Sequence, residues 1–183
     1  LFTNSDQLLV VDANLASLKT DPAVRREIAY RIRPRKDGLM EATTTITYHH
    51  EGIFDWKTTR YRTYTRLYVP EGSVLLSSQG ALKNDRLKNS AGEPGEVSVG
   101  QDLGATVFGA FISIEPGESR SLSFVYLLPE NVVHMIESGD YRLDVSKQLG
   151  ASDHALTLDL DFDKKVKAAS PPELSQEWGD DVY

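Results

Sequence analysis

Apolar side chains alternate with period two through most of the chain, turn residues recur at short spacing, and amphipathic helical runs are absent. These observations predict an all-β fold, an antiparallel immunoglobulin-like β-sandwich of about eight or nine strands, with a closed barrel as the second possibility. Helix is expected in less than about a tenth of the residues, since no segment carries three clean turns of amphipathic pattern.

Taken in order, Leu8 to Val11 forms a short apolar strand, and Asn14 to Pro22 reads as a polar loop. Residues 1–22 are expected to be an N-terminal strand and loop at the edge of an upstream domain. Residues 23–167 are expected to be the sandwich. From Arg25 to Arg33, Ile28, Tyr30 and Ile32 share one face, with Glu27, Arg31 and Arg33 on the other. Leu39 to Tyr48 keeps Met40, Ala42, Thr44, Ile46 and Tyr48 in phase. Asp37-Gly38 between these runs supplies the positive φ of a tight hairpin. A longer strand from about Thr58 to Val69 stops at Pro70-Glu71-Gly72, and Val74 to Ser77 follows. Gln79 to Gly95 is polar and rich in glycine and proline, a long exposed loop. Ala105 to Ile114 is apolar on both faces, as in a central strand covered on both sides. Glu115-Pro116-Gly117-Glu118 suits a type II turn into Ser119 to Leu128. Pro129 to Gly139 has room for one helical turn. Tyr141, Leu143 and Val145, then Leu156, Leu158, Leu160 and Phe162, mark the last strands. Residues 168–183 carry two prolines and four acids without a base, an acidic tail or linker.

The 183 residues carry 20 Lys and Arg against 27 Asp and Glu, a net charge of −7. That balance argues against nucleic acid as a partner, because phosphate-backbone binding needs a basic surface. Zero cysteines remove disulfides, thiolate metal sites and cysteine nucleophiles. No apolar run is long enough to cross a membrane as a helix, so no direct membrane insertion of this segment is expected.

Charge is unevenly placed. Up to Pro70 the chain holds 11 basic and 8 acidic residues, and beyond it 9 and 19. The basic excess concentrates on one strand, where period two puts Arg60, Arg62, Tyr64, Arg66 and Tyr68 on one face. Guanidinium pairs bidentately with phosphate or carboxylate and tyrosine offers a stacking surface, so this stripe is the candidate site for an anionic or carbohydrate polymer. The competing reading pairs the same arginines with carboxylates on a solvated sheet. Asp159, Asp161 and Asp163 alternate on the last strand but lie roughly 7 Å apart on a flat strand, too spread for calcium. They read as a solvated face or as partners of an arginine ladder. His49-His50 reads as part of an exposed polar loop, and adjacent strand residues point to opposite faces, so the two do not chelate together. Trp56 either caps the core or offers a sugar-stacking platform. No nucleophile elbow and no glycine-rich phosphate loop occur. No catalytic residue, metal site or cofactor is expected.

Three segments carry a resemblance: QLLVVDANLASLKTD (Gln7 to Asp21), DWKTTRYRTYTRLYVPEGS (Asp55 to Ser73) and GATVFGAFISIEPGESRSLSFVYLLP (Gly104 to Pro129). Together they resemble the carboxy-terminal region of large bacterial surface proteins with a domain of unknown function (the DUF 4012 type). The similarity spans most of Gln7 to Phe162. It implies an extracytoplasmic location in the bacterial cell envelope, with anchoring through an upstream membrane segment absent from this chain. It also implies an upstream domain similar to enzymes that attach glycopolymers to cell walls. The expectation is a non-catalytic binding or spacing module whose partner is an envelope polymer or an upstream domain. The alternative is an accessory domain completing an upstream glycopolymer-handling enzyme, with Asn14, Lys19, Thr20 and Asp21 lining an interdomain loop.

Overall fold

The computed structural model describes residues 5–87, 89–90, 92–151 and 154–170. The expected tail therefore lies mostly outside the described residues. The strands are β1 (Asp6–Asn14), β2 (Val24–Pro34), β3 (Met40–His50), β4 (Tyr61–Pro70), β5 (Val74–Gln79), β6 (Ser98–Asp102), β7 (Ala105–Ile114), β8 (Ser119–Leu127), β9 (Leu143–Ser146) and β10 (His154–Leu160). One short helix, α1 (Glu130–Ser138), lies between β8 and β9, and a 3-10 turn covers Asp21–Ala23. The first sheet has the order β6-β7-β4-β1-β9 and the second β10-β2-β3-β8-β5. Their facing sides enclose one core, so the fold is a two-sheet sandwich and mostly β.

The alternation seen in sequence is the alternation of burial. Val24, Ile28, Tyr30 and Ile32 of β2 and Met40, Ala42, Ile46 and Tyr48 of β3 are buried, with Arg26 and Thr44 in the same phase, and the residues of the opposite phase are not. Gly38 turns the hairpin between them at φ +83°, a conformation that costs a residue with a Cβ roughly 1 kcal/mol. β7 is buried on both faces, as its uniform apolarity requires. Phe108 packs between Phe124 and Tyr126 at 6.2 and 5.4 Å between ring centroids. α1 is longer than the single turn expected. Val132 and Ile136, one turn apart, are buried under it, and the Gly139 and Asp140 N–H groups return to the Met135 carbonyl to end it.

Three expectations are corrected. The sheets are mixed, not antiparallel: β9 pairs with β1 in parallel, and β10 with β2. Both are late strands that arrive by crossing from the other sheet, and the sequence pattern of a strand is the same whichever way its neighbour runs. Only β2–β3 and β6–β7 are joined within a sheet, and every other connection crosses between sheets. The strands number ten rather than eight or nine, and β6 is the one the alternation misses. All five of its residues are exposed on an edge, so nothing in its sequence had to alternate. Residues 6–14, set apart in sequence with the N-terminal segment, form an inner strand of the first sheet, bonded to β4 on one side and β9 on the other.

Candidate functional site

At one end of the sandwich the connections 15–23, 51–60 and 115–118 cross between sheets, and 147–151 lies beside them. Two charged side chains sit beneath them in the apolar phase of their strands. Asp12 follows Leu8 and Val10 on the inner face of β1, and Arg26 precedes Ile28 on β2. The Arg26 Nε donates to Asp12 Oδ2 at 2.6 Å, and its Nη2 donates to the Tyr61 hydroxyl at 2.7 Å. Asp12 Oδ1 also accepts from the Tyr48 and Thr65 hydroxyls at 2.8 and 2.7 Å. Gln148 closes the set from outside: its Oε1 takes the Asp12 N–H, and its Nε2 donates to the Asp12 carbonyl.

Burial, the largest single influence, would lower the Arg26 pKa; the Asp12 carboxylate together with Tyr61 and Tyr48 outweighs it, and the guanidinium is held above its ordinary range. Tyr48 and Tyr61 are likewise raised, by burial first and by the Asp12 charge second. Both phenols therefore stay protonated at neutral pH and act as donors. A cavity of about 110 Å³ opens beside them, between Asp21, Pro22 and Arg26 on one side and residues 148–151 on the other. Small-molecule pockets usually run to several hundred Å³, so this one has room for a few waters or a small ion.

The interdomain-loop candidates pack onto the sandwich. Ser17 and Thr20 are buried, Ser17 Oγ accepts the Arg62 N–H at 2.7 Å, and Thr20 Oγ1 accepts the Thr59 N–H at 3.0 Å. Asn14 donates to Asp21, whose other oxygen accepts from Tyr61. Lys19 alone of the four points its side chain to solvent, while its N–H donates to the Lys57 carbonyl at 2.9 Å.

Of the stripe, Arg62, Tyr64, Arg66 and Tyr68 lie on the outer face of β4, and Arg60 falls just before the strand, which begins at Tyr61 rather than Thr58. Its residues are not equivalent. Arg60 is held by Glu115, and Arg62 pairs with Asp85 at 2.7 Å. Tyr68 is buried against Val107, Leu9 and Val11, and its hydroxyl donates to Asp102 at 2.9 Å. Tyr64 lies over Gly109, where a Cβ would stand 2.5 Å from the Tyr64 hydroxyl, and that hydroxyl meets Ser98 Oγ at 2.7 Å. Arg66 is exposed and rests its guanidinium 5.6 Å from the Tyr64 ring. Two of the three arginines are thus neutralised by carboxylates, and Arg66 is the one that faces solvent.

Asp159 accepts from Arg31 at 2.9 Å and from Arg33, so the acidic row does contain an arginine-ladder partner. The histidines were expected in an exposed loop; both belong to β3. His50 is 1% exposed and on the inner face, its Nε2 meeting the Thr59 carbonyl at 2.8 Å and its Nδ1 the Gly52 N–H at 3.2 Å. Trp56 does not cap the core, being 79% exposed.

Asp12 and Arg26 went unnoticed in sequence although a signal for them existed. Each is a charge standing in the apolar phase of a strand, between core residues. Comparison with protein-family models, curated proteins and solved structures finds no match to this chain.

Proposed function

We infer that the chain is a non-catalytic, extracytoplasmic β-sandwich module of a bacterial envelope protein, immunoglobulin-like in general plan, that binds an anionic envelope polymer. One observation carries this reading: Arg66 stands exposed over the Tyr64 ring, on a sheet face that also presents Leu9, Val11, Tyr68 and Val107 beside the Arg62–Asp85 pair. A guanidinium braced by an aromatic ring and flanked by flat apolar surface suits a ligand with alternating charge and ring faces. The extracytoplasmic location rests on the resemblance of the three segments quoted above. The non-catalytic reading draws support from the two tyrosines and the Asp12–Arg26 pair, whose polar atoms are spent on one another. An accessory role beside an upstream enzyme has less support, because Asn14, Thr20 and Asp21 are bonded within the sandwich.

The expected affinity is weak and salt-sensitive, since one exposed charge pair contributes about 0–1 kcal/mol and the chain's net charge repels anions at long range. Binding of the protein to purified cell-wall glycopolymer at low and high salt tests it. Arg66→Ser is expected to remove most retention, and Arg62→Ser, whose guanidinium already has Asp85, to remove little. Retention that survives Arg66→Ser, or that ignores salt, sinks the reading.

A further inference from the structure

The two loops that cross between the sheets at the Asp12 end carry an unusual load of apolar surface. Ile53, Phe54 and Trp56 are 70%, 61% and 79% exposed, and Leu15 and Leu18 on the neighbouring loop are 43% and 57% exposed. The loops are paired, not loose. Leu18 and Thr58 form a β-bridge, and the Lys19 N–H donates to the Lys57 carbonyl at 2.9 Å. Asp55 accepts the N–H groups of Lys57 and Thr58 at 2.7 and 2.6 Å, and its own N–H donates to the Thr58 carbonyl. That tight turn fixes the backbone that displays Trp56. Ala16 and Leu18 hold left-handed backbone at φ +57° and +54°, which a residue with a Cβ adopts at a cost, so the exposed leucine is held out by a strained loop.

Charge on these two loops is balanced in number but not in pairing. The loops 15–23 and 51–60 carry Lys19, Lys57 and Arg60 against Asp21, Glu51 and Asp55; Arg60 is held by Glu115, and Asp21 accepts from Asn14 and Tyr61. The acids are occupied: Glu51 pairs with Arg25, and Asp55 is held by two backbone N–H groups. Among the described residues neither Lys19 nor Lys57 forms an ion pair, and Lys57 instead lies 4.5 Å from the centre of the Trp56 ring.

We propose that this tip is a membrane-interface anchor, which seats Ile53, Phe54, Trp56 and Leu18 at the headgroup boundary of an anionic bilayer while Lys19 and Lys57 meet lipid phosphates. Tryptophan flanked by lysine is the side-chain pairing that suits the boundary between water and acyl chains. The neighbouring aliphatic groups select lipid over sugar. A sugar needs polar partners around a free ring face, and here one face of Trp56 carries the Lys57 ammonium. The site is separate from the Arg66 face, so either proposal stands or falls without the other.

The test is co-sedimentation of the full chain with vesicles of phosphatidylcholine alone or with phosphatidylglycerol at three parts in ten. A second readout is Trp56 emission in the Trp178→Phe background, where Trp56 is the sole tryptophan. Binding to the anionic vesicles and a blue shift of Trp56 are expected. Each lysine near such a surface is worth about a fivefold factor in partitioning, so Lys19→Glu with Lys57→Glu should lower binding by at least about 25-fold. Phe54→Ser with Trp56→Ser should abolish sedimentation while leaving the melting temperature unchanged, because both side chains are already in water. Leu87→Ser, at a site 69% exposed on the 80–97 loop, should change nothing. No binding, equal binding to neutral vesicles, or binding indifferent to the tip substitutions would overturn the proposal. So would a tip that instead holds two copies together, seen as a dimer that Phe54→Ser with Trp56→Ser converts to monomer without any vesicle binding.

Discussion

Asp6 and Asp12 stand at the two ends of the inner face of β1, with Leu8 and Val10 between them, and both are buried. Their surroundings differ in kind. Asp12 has a guanidinium on one oxygen and three hydroxyls on the other, those of Tyr48, Thr65 and, at 3.3 Å, Thr63. Asp6 has three neutral donors: the Tyr30 and Tyr141 hydroxyls, each at 2.6 Å, and the Gln7 N–H at 2.8 Å. Among the described residues no cation pairs with it. Burial therefore pushes the Asp6 carboxyl up to about 6, despite the three hydrogen bonds that pull the other way. Hydrogen bonds alone do not replace a counter-charge when water is excluded. The Asp12 end, with its cation, lies under the loops proposed to meet a ligand surface. The Asp6 end is closed by Tyr141 and by β9, which pairs beside it.

The largest expected effect lies at Asp12. Arg26→Leu leaves a buried carboxylate without its cation and should cost about 3–5 kcal/mol in chemical denaturation. Arg26→Leu with Asp12→Leu together should cost less than the two single changes added, since the stranded charge is gone. An additive result would mean that the pair is not coupled, and that the two ends of β1 differ less than their geometry says.

Next is the pH dependence contributed by Asp6. The unfolded carboxyl releases its proton near 3.8 and the folded one near 6, so the folded chain holds the proton more tightly. The group's stabilising contribution is complete below about pH 4 and is lost as pH rises through about 6, a change of about 3 kcal/mol. Asp6→Asn should flatten that part of the curve of unfolding free energy against pH. A curve with the same slope in both proteins would show that Asp6 titrates normally.

Tyr141→Phe sharpens the same point. It removes one donor from the buried carboxylate and should cost about 1–3 kcal/mol at pH 8, where Asp6 is charged. The cost should be smaller near pH 4, where the carboxyl is protonated. Equal losses at both pH values would assign the effect to packing alone. The smallest effect belongs to the outer face: Arg62→Ala gives up the partly buried pair with Asp85 and should change stability by about 1 kcal/mol, less in high salt.

The sequence by itself determined most of the strands, β6 apart, and in the alternating ones which face is buried. The alternation in β2, β3 and β8 is a local property: each side chain's side is set by its own position in the pleat. For the same reason Arg62, Tyr64, Arg66 and Tyr68 share one face of β4. The sequence also held the two charges in the apolar phase, Asp12 and Arg26, though only their contact makes them a pair. Tertiary structure decided what no local period encodes. The parallel docking of β9 and β10, the sheet-crossing route of most connections and the inclusion of β6 are choices of partner, and a strand's pattern does not record its partner. The same holds for charge. Asp85 and Glu115 neutralise Arg62 and Arg60 from distant loops, while Arg66 is left to solvent. Each of these depends on groups far apart in the chain brought within a few ångströms, and the energy that selects them exists only once the core has closed.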